Sequence, residues 1–406
     1  MSRPLRPFAL ERFFAAYEFN PSVKYMACAS DSEPLTLNDL LFIADPDSRH
    51  LWENLTLSYT ESNGLPQLRE EIARRHYSTT ISPSQILVAA PQELVFLTMH
   101  ALVQPGDVVV CMHPAYQSLY EIAQSIGATV KMWYPRQIKN TLIFDVDDLR
   151  SLVAAQPVKL VVVNCPHNPT GWHPSPIEFD SIRDICAKST YPGGLGAYLF
   201  SDEMYRGLEL DPGSNKLPTG ADIMPPGRGI SLSGLSKVVG LPGLRIGWIA
   251  TTDAELYKAI ATLKDYTTIC CPAPCEVLAL MALRAWDTIV EQQMEIIRTN
   301  LAVIDDYVNN KWQGKVFVWE SPPKAGTVAL PALKFDLKKG GVKAFCAEVA
   351  LDHGVLLLPG SVYDDNEDSK GSRNGEGRVR IGYGRKNLPE AFAALDVAFR
   401  EMKIIS

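Results

Sequence analysis

The chain has 406 residues, of which 46% are hydrophobic and 21% charged, and its net charge is -7. A chain of this length exceeds what one hydrophobic core usually supports, so we expect two domains around a shared cleft. The acidic balance argues against nucleic-acid binding through a basic surface, and no apolar run has the length needed to span a bilayer.

The first fifty residues carry weak structural signals. Their pattern predicts a helix over residues 8–17 and another over 36–43, with Thr36 or Asn38 as the capping residue. Between these helices, the mostly small side chains of residues 26–30 fit either a close approach to a ligand or plain packing. We expect residues 1–50 to form a segment associated with the smaller domain.

Seven short apolar runs then alternate with helical patterns. The runs cover residues 86–90, 107–112, 128–133, 160–164, 197–201, 229–233 and 246–250, and helices are predicted over 93–103, 117–126 and 177–187. Short apolar strands separated by helices indicate right-handed crossovers and a parallel sheet covered on both faces. The sequence therefore predicts an α/β domain over residues 51–280.

The remaining chain has a different pattern. Residues 276–309 are helical in period and long enough to link two domains, and strands are predicted over 316–319, 326–335, 355–358 and 379–383. Helices are predicted over 343–351 and 389–399, and residues 363–377, rich in Asp, Asn, Ser and Gly, predict a mobile loop. We expect a smaller α+β domain over residues 281–406.

The eight cysteines indicate a reducing compartment. They contain no CxxC pair, and the one cluster, at Cys270, Cys271 and Cys275, has no histidine nearby to complete a metal site. Buried, reduced thiols and no bound metal are the better interpretation. Since the first residues also lack the apolar core of a signal peptide, we expect a cytoplasmic protein.

Polar residues follow the predicted strands at their carboxyl ends, where open α/β sheets bind ligands. Because the carboxyl ends of parallel strands share one edge, these residues should lie together. They are Pro91 and Gln92, Tyr116, Asn168, Asp202 with Tyr205, and Lys237.

Lys237 lies in an unusual setting for a lysine, among serines and glycines between two apolar runs. Loss of hydration lowers the pKa of an amine and frees it to form a Schiff base with an aldehyde. Ser233, Ser236 and Arg245 offer donors suited to a phosphate. An aldehyde that carries a phosphate is pyridoxal 5′-phosphate (PLP). Taken alone, the segment also fits a loop lysine between core strands, with Arg245 in a surface ion pair.

Together these motifs resemble the fold-type I PLP enzymes of the class I/II aminotransferase family, from Tyr59 to the last helix. The resemblance implies a large domain with a mostly parallel seven-stranded sheet covered by helices, and a smaller α+β domain. It also implies a PLP cofactor and a homodimer, with Tyr59 reaching the phosphate of the neighbouring subunit.

The resemblance assigns roles around the cofactor ring. Lys237 matches the Schiff-base lysine that also moves a proton, and Asp202 matches the carboxylate that pairs with the ring nitrogen. Tyr205 and Asn168 match donors to the ring oxygen, with Asn168 also contacting the substrate. Tyr116 matches the aromatic side chain that stacks on the ring.

Further roles concern the phosphate and the substrate. Arg245 and Ser236 match phosphate ligands, aided by the backbone near Pro91 and Gln92. Arg380 resembles the arginine that clamps the substrate α-carboxylate. Its rivals for that role are Arg378 and Arg385.

Two positions depart from the family pattern. Gly234 stands where the family often has serine, so Ser233 or Ser236 must replace that hydroxyl, or the phosphate loses one donor. Ala90-Pro91 stands where the family often has Gly-Ala or Gly-Ser, and proline donates no N–H.

The function implied is amino-group transfer between an L-amino acid and a 2-oxo acid. The same scaffold supports lyases, synthases and cyclases acting at Cβ or Cγ, and a non-catalytic regulatory homologue is a third possibility. The sequence assigns no second arginine to a dicarboxylate. Trp133, Trp172 and the small residues near Ala29 fit a pocket lining and core packing equally well.

Overall fold

The computed structural model describes residues 2–77, 80–138, 141–191, 194, 196–211, 213, 216–318, 323–364, 375 and 377–405. The helices are α1 (Ala9–Tyr17), α2 (Leu37–Ile43), α3 (Pro46–Glu53), α4 (Pro66–His76), α5 (Pro91–Leu102), α6 (Ser118–Ile126), α7 (Val146–Ala154), α8 (Pro176–Ala187), α9 (Gly220–Ile223), α10 (Ala254–Lys264), α11 (Ala273–Arg284), α12 (Trp286–Asp305), α13 (Gly341–His353) and α14 (Leu388–Glu401). Short 3₁₀ turns lie at Pro83–Gln85, Pro242–Leu244 and Gly360–Tyr363, and a π-helical turn lies at Asp306–Lys311.

The strands form one large sheet and several small ones. They are β1 (Ile86–Ala89), β2 (Val108–Met112), β3 (Thr129–Trp133), β4 (Arg136–Ile138), β5 (Thr141–Ile143), β6 (Leu160–Asn164), β7 (Tyr198–Asp202), β8 (Gly229–Gly234), β9 (Gly247–Thr251), β10 (Phe317–Val318), β11 (Val328–Ala329), β12 (Ala332–Leu333), β13 (Leu358–Pro359) and β14 (Val379–Gly382).

All seven predicted apolar runs join the large sheet, in the order β1-β9-β8-β7-β6-β2-β3. The prediction of a mostly parallel seven-stranded sheet is confirmed. Strand β9 is the exception, since it is antiparallel to both β8 and β1. The chain between β8 and β9 is a short loop rather than a crossover helix, so the strand direction reverses there.

Both faces of the large sheet are buried except along the outer strand β3, where Thr129 and Lys131 are exposed, which explains why the other strands read as continuous apolar runs. Neighbouring residues on one strand point to opposite faces. Val109 packs in the core that contains side chains of α5, α6 and α10, whereas Val110 packs in the core with α7 and α8. The sheet therefore sits between two helical layers.

The C-terminal part forms a smaller α+β arrangement. Strands β11, β14 and β13 make one antiparallel sheet and β10 pairs with β12. Helices α13 and α14 pack on each other next to these strands.

Three predictions for this part need correction. Residues 276–309 are not one helix, because α11 ends and α12 begins around Ala285, whose backbone leaves helical geometry at φ -91°, ψ 11°. The predicted strand over 326–335 is two strands with different partners, separated by Pro331, which has no N–H to donate. In the predicted strand over 355–358, Val355 instead forms an isolated bridge with Tyr25. Trp319 and most of the predicted mobile loop lie outside the described residues.

The N-terminal segment contacts both parts of the fold. Its helix α1 packs with Leu358 and Tyr363 in one apolar cluster. Ahead of α1, Arg3 and Arg6 form ion pairs of 2.6 and 2.7 Å with Glu121 on α6. The domain boundaries at residues 50 and 280 stay predictions. None of the helices in these described ranges combines the length and apolar character needed to cross a bilayer.

Gly382 on β14 provides a test of how the N-terminal segment joins this fold. Its N–H donates to the Ala27 carbonyl at 2.9 Å, and a Cβ at this position would lie 1.8 Å from the Ala29 carbonyl oxygen. Gly382→Ala should lower the free energy of unfolding by about 3 kcal/mol, because backbone must move to relieve the overlap. Chemical denaturation measures the change.

The matched control is Gly243→Ala, where an added Cβ meets no atom within 4 Å. It should change the unfolding free energy by no more than about 0.5 kcal/mol. Equal effects of the two substitutions would contradict the close packing of residues 27–29 on β14.

Candidate active site

The carboxyl ends of the parallel strands open into a cavity of about 460 Å³. Ten of the twelve predicted site residues line it: Pro91, Gln92, Tyr116, Asn168, Asp202, Tyr205, Ser236, Lys237, Arg245 and Arg380. The expectation that these residues lie together therefore holds in the structure, and two predicted residues, Ser233 and Tyr59, lie elsewhere.

Lys237 lies in the loop that follows β8. Its Nζ donates to the Ser30 hydroxyl at 2.9 Å, and its carbonyl accepts from the Ser32 N–H at 3.0 Å. Loss of hydration lowers the pKa of the Lys237 amine, with Asp31 opposing this effect and Arg380 adding to it. The amine is thus held in place and biased toward its neutral, nucleophilic form.

Asp202 ends β7 and its side chain is buried. One carboxylate oxygen accepts from the Met204 N–H at 3.2 Å, while burial raises the pKa of Asp202 to about 7. The Asn164 amide donates to the Asp202 carbonyl at 3.0 Å, which ties β6 to β7 at this edge. A cationic partner at the carboxylate would favour its charged form.

Asn168 and Tyr205 are buried beside Asp202. The Asn168 N–H donates to the Asn164 side chain at 2.7 Å, which holds the turn after β6 against the strand. Burial also raises the pKa of Tyr205, so the phenol stays a neutral donor at physiological pH.

Tyr116 reaches the cavity from the segment between β2 and α6. Its ring lies 4.7 Å from the Phe8 ring, centroid to centroid, and its hydroxyl donates to Glu11 at 2.7 Å. The aromatic side chain is therefore fixed at both its ring and its hydroxyl.

Arg380 on β14 is only 1% exposed. Its Nη1 donates to the Tyr363 hydroxyl at 2.7 Å and to Asn168 Oδ1 at 3.2 Å. Its Nε and Nη2 both donate to the Cys28 carbonyl. These acceptors are neutral oxygens, and the guanidinium also lies 5.9 Å from the centroid of the Phe14 ring, so it is oriented without being neutralised by any described carboxylate.

The two rivals of Arg380 are placed differently. Arg378 donates to the Leu330 carbonyl at 3.0 Å and does not line the cavity. Arg385 lines the cavity but forms an ion pair with Asp31 at 2.8 Å. Of the three arginines, Arg380 has the geometry that best suits an incoming carboxylate.

The cavity also contains groups suited to a phosphate. The first turn of α5, with Pro91 and Gln92, faces the cavity, and helix N-termini favour anions. Ser236 is 5% exposed, and its hydroxyl has no hydrogen-bond partner in the described part of the chain. Arg245 has left-handed backbone geometry at φ 57°, ψ 31°, which is unusual for arginine.

The structure links the two departures from the family pattern. A Cβ at Gly234 would lie 3.2 Å from Pro91 Cγ and 3.1 Å from Gly247 Cα. A Cβ at Gly247 would lie 2.6 Å from Pro91 Cγ. The proline ring therefore occupies space beside both glycines, so a serine at position 234 would require neighbouring atoms to move.

Ser233 needs correction as a candidate phosphate ligand. It lies on β8 rather than at the cavity, and its hydroxyl is 3.4 Å from the Glu203 carbonyl that accepts from it. Strand alternation turns this side chain away from the cavity, which leaves Ser236 as the hydroxyl there. Trp133 and Trp172 belong to a buried core cluster, whereas Ala29 lines the cavity.

Tyr59 also lies outside the cavity and is 85% exposed. Its predicted role is at the site of the neighbouring subunit, and an exposed position outside the cavity of its own chain is compatible with that role.

Sequence patterns missed several cavity residues. Ser30 and Asp31 come from the N-terminal segment, and Glu11 and Glu18 from α1 and its C-terminal end. Tyr363, in a turn after β13, does not line the cavity but accepts from Arg380, which does. The run of mostly small residues over 26–30, which includes Ser30, was the one signal of a close approach. The others are far in sequence from any strand end, and only tertiary packing brings them here.

The residues present fit PLP. The cavity volume suits a small cofactor, and a buried carboxylate, an amine and phosphate donors lie on its walls. The unpartnered hydroxyl of Ser236 is an independent sign, because buried polar atoms normally find partners. When PLP binds, Lys237, Asp202 and Ser236 are the side chains suited to its aldehyde, ring nitrogen and phosphate.

Comparison with known proteins identifies the family. The model for aminotransferases of class I and II matches residues 44–395. Capreomycidine synthase from Streptomyces vinaceus is 28% identical over 348 residues, covering 81% of this chain and 79% of the relative. Aspartate aminotransferase from Sulfolobus acidocaldarius is 25% identical over 321 residues, covering 75% and 74%.

Solved structures agree with this result. A PLP-dependent aminotransferase from Streptococcus suis superposes with a TM-score of 0.82 at 26% identity, covering 98% of this chain and 99% of that one. The PLP-dependent cyclase OrfR superposes with a TM-score of 0.83 at 26% identity, covering 99% of both chains.

The chain belongs to the class I and II aminotransferase family. It has the fold of type I PLP enzymes and is a PLP-dependent transferase. The predictions of family, fold class, enzyme class and cofactor are confirmed. The roles of individual residues stay predictions.

Asp202 supports a test that separates cofactor binding from stability. The usual aspartate pKa of 3.8 is raised to about 7 in the folded chain, so the folded state holds a proton that the unfolded state releases at lower pH. Stability of the cofactor-free protein should therefore fall as pH rises from about 4 to 7. Asp202→Asn should remove this contribution, and so be more stable than wild type at pH above 7 while binding PLP more weakly.

Thermal unfolding across pH and equilibrium dialysis with PLP measure the two effects. Asp352→Asn, at an exposed position on α13, is the control and should alter neither. Unchanged PLP affinity in Asp202→Asn would refute the assigned pairing with the ring nitrogen.

Proposed function

We propose that this protein transfers an amino group from an L-amino acid to a 2-oxo acid, with Lys237 as the proton-transferring group. The observation that supports this most directly is that Lys237, Asp202 and Arg380 line one cavity. These side chains would supply the base, the partner of the ring nitrogen and the carboxylate anchor of the reaction.

Each side chain has a physical reason for its proposed role. When bound, PLP supplies an electron sink for the electron pair left at the substrate Cα. Asp202 would keep the ring nitrogen protonated through its buried charge. Arg380 would orient the α-carboxylate, so that the Cα proton faces Lys237. Lys237, with a lowered pKa, would accept that proton and return it to the product.

A second function, elimination or ring closure without amino transfer, is also supported by a specific observation. Capreomycidine synthase is among the relatives, and the PLP-dependent cyclase OrfR among the similar structures. The residues around Lys237 serve either reaction, since both begin with loss of the Cα proton.

We also propose a homodimer in the cytoplasm. Leu57, Tyr59 and Tyr266 are each at least 85% exposed, and large exposed apolar side chains mark interaction surfaces. The loops that carry them touch, because Lys264 Nζ donates to the Ser62 carbonyl at 2.8 Å. All eight cysteines are free thiols, which suits a reducing compartment.

Lys237→Ala should abolish amino transfer and the visible absorbance of bound PLP, because the covalent attachment is lost. In wild type, borohydride treatment should add the reduced cofactor mass to the peptide containing Lys237.

Substrates with isotope-labelled nitrogen, followed by mass spectrometry, separate the two functions. Label in the amino product of the second oxo acid supports transfer, whereas loss of water or ammonia without transfer supports the second function. Wild-type turnover in Lys237→Ala would refute both.

Mixed dimers test the role of Tyr59. Tyr59→Ala and Lys237→Ala should each be poorly active at limiting PLP, yet mixing them should recover about a quarter of wild-type activity in a symmetric dimer. Recovery arises because one site of each mixed dimer has an intact Lys237 and a partner with an intact tyrosine. Mixing Tyr59→Ala with the double variant is the control and should recover nothing. No recovery in the first mixture would contradict a role across the interface.

A further inference from the structure

The cavity contains more carboxylates than the proposed chemistry uses. Its basic side chains are Lys237, Arg245, Arg380 and Arg385. In the proposed function, the first three serve the cofactor aldehyde, its phosphate and the substrate α-carboxylate. The fourth, Arg385, is already paired.

The acidic side chains of the same cavity can be assigned in the same way. Asp202 would face the ring nitrogen. Asp31 accepts from Arg385 at 3.1 Å through Nε and at 3.0 and 2.8 Å through Nη2. Two carboxylates, those of Glu11 and Glu18, are left without a cation.

These two glutamates share one face of α1 and its end. They are seven residues apart, two helical turns, with Phe14 between them on the same face, and all three side chains line the cavity. Glu11 accepts from the Tyr116 hydroxyl. The Glu18 N–H donates to the Phe14 carbonyl at 2.8 Å, but its carboxylate forms no hydrogen bond or ion pair with any described residue.

Stability of the helix does not explain Glu18. It caps the C-terminus of α1, where the helix dipole disfavours a negative charge. Partial burial raises the pKa of Glu18, and the charges of Glu11 and Asp31 raise it further, against the weaker opposing effects of Arg385 and Lys237. A cation bound between these carboxylates would relieve that repulsion.

Observations that do not involve the glutamates also mark this cavity as a ligand site. Ser236 is a buried hydroxyl without a partner in the described chain, and it lines the same cavity as the glutamates. Arg380, almost fully buried, donates from Nη1 to Asn168 Oδ1, and both residues line this cavity. A molecule bound in this cavity would therefore lie against the glutamates.

We propose that the substrate amino acid has a cationic side chain, a guanidinium or an amine, which Glu18 binds with Glu11 beside it. The inference rests on the proposed function, in which Arg380 takes the α-carboxylate. An anionic side chain is disfavoured, because it would meet Glu11 and Glu18 while Arg385 stays engaged by Asp31.

Arginine and citrulline provide a matched pair of probes, since a charged guanidinium is replaced by a neutral urea of similar shape. Their α-methyl forms have no Cα proton, so they bind to the PLP-loaded protein without turnover. We expect α-methylarginine to bind about tenfold more tightly than α-methylcitrulline, a difference of about 1.4 kcal/mol. Calorimetry, or the change in cofactor absorbance on titration, measures both affinities.

Substitutions assign the preference to the glutamates. Glu18→Gln should reduce the affinity ratio to about twofold, and adding Glu11→Gln should remove the remainder. Glu295→Gln, at an exposed position on α12 outside the cavity, is the control and should keep the wild-type ratio.

Equal affinities for the two probes in wild type, or tighter binding of α-methylglutamate, would overturn the inference without any variant being needed. Binding is separate from turnover, so the two proposals can fail independently. Equal transfer from cationic and neutral amino acids together with equal binding would leave the proposed function and remove the inference. If the protein prefers the cationic probe but transfers no amino group from arginine, the inference stands and the proposed function fails.

Discussion

The burial of an amine and a carboxylic acid in one cavity is the constraint on which this active site depends. Both Lys237 and Asp202 lose hydration, so the pKa of the amine falls and that of the acid rises. Neither pKa shift stabilises the fold when no ligand is bound, because a buried charge without full pairing costs free energy. The arrangement makes physical sense when a bound molecule supplies the missing partners, and PLP has an aldehyde for one group and a ring nitrogen for the other.

The N-terminal segment connects the side chain proposed to bind the substrate carboxylate with the one proposed to bind the cofactor. Ser30 accepts from Lys237, and its carbonyl accepts from the Thr327 hydroxyl at 2.7 Å. The Cys28 carbonyl, two residues earlier, accepts two hydrogen bonds from Arg380. One short stretch of backbone thus fixes the distance between the Lys237 amine and Arg380, the proposed carboxylate anchor, as the proposed proton abstraction at Cα would require.

The large sheet and its polar edge were predictable because buried strands appear as continuous apolar runs, and a polar residue directly after a run lands at the strand end. The reversal of β9 was not predictable, since an apolar run carries no strand direction. The choice between Ser233 and Ser236 needed the side-chain orientation on β8. Glu18 comes from a segment with no strand signal, and only packing brings it to the cavity.

The chemistry and the proposed specificity reside on separate elements. The groups suited to PLP come mainly from strand ends of the large sheet and the first turn of α5, where tight packing such as Pro91 against Gly234 restricts change. The glutamates come from α1, which lies outside that sheet and is held through Phe8 on Tyr116 and Arg6 on Glu121. A side chain on α1 can therefore change what the cavity accepts without disturbing the proton-transfer groups.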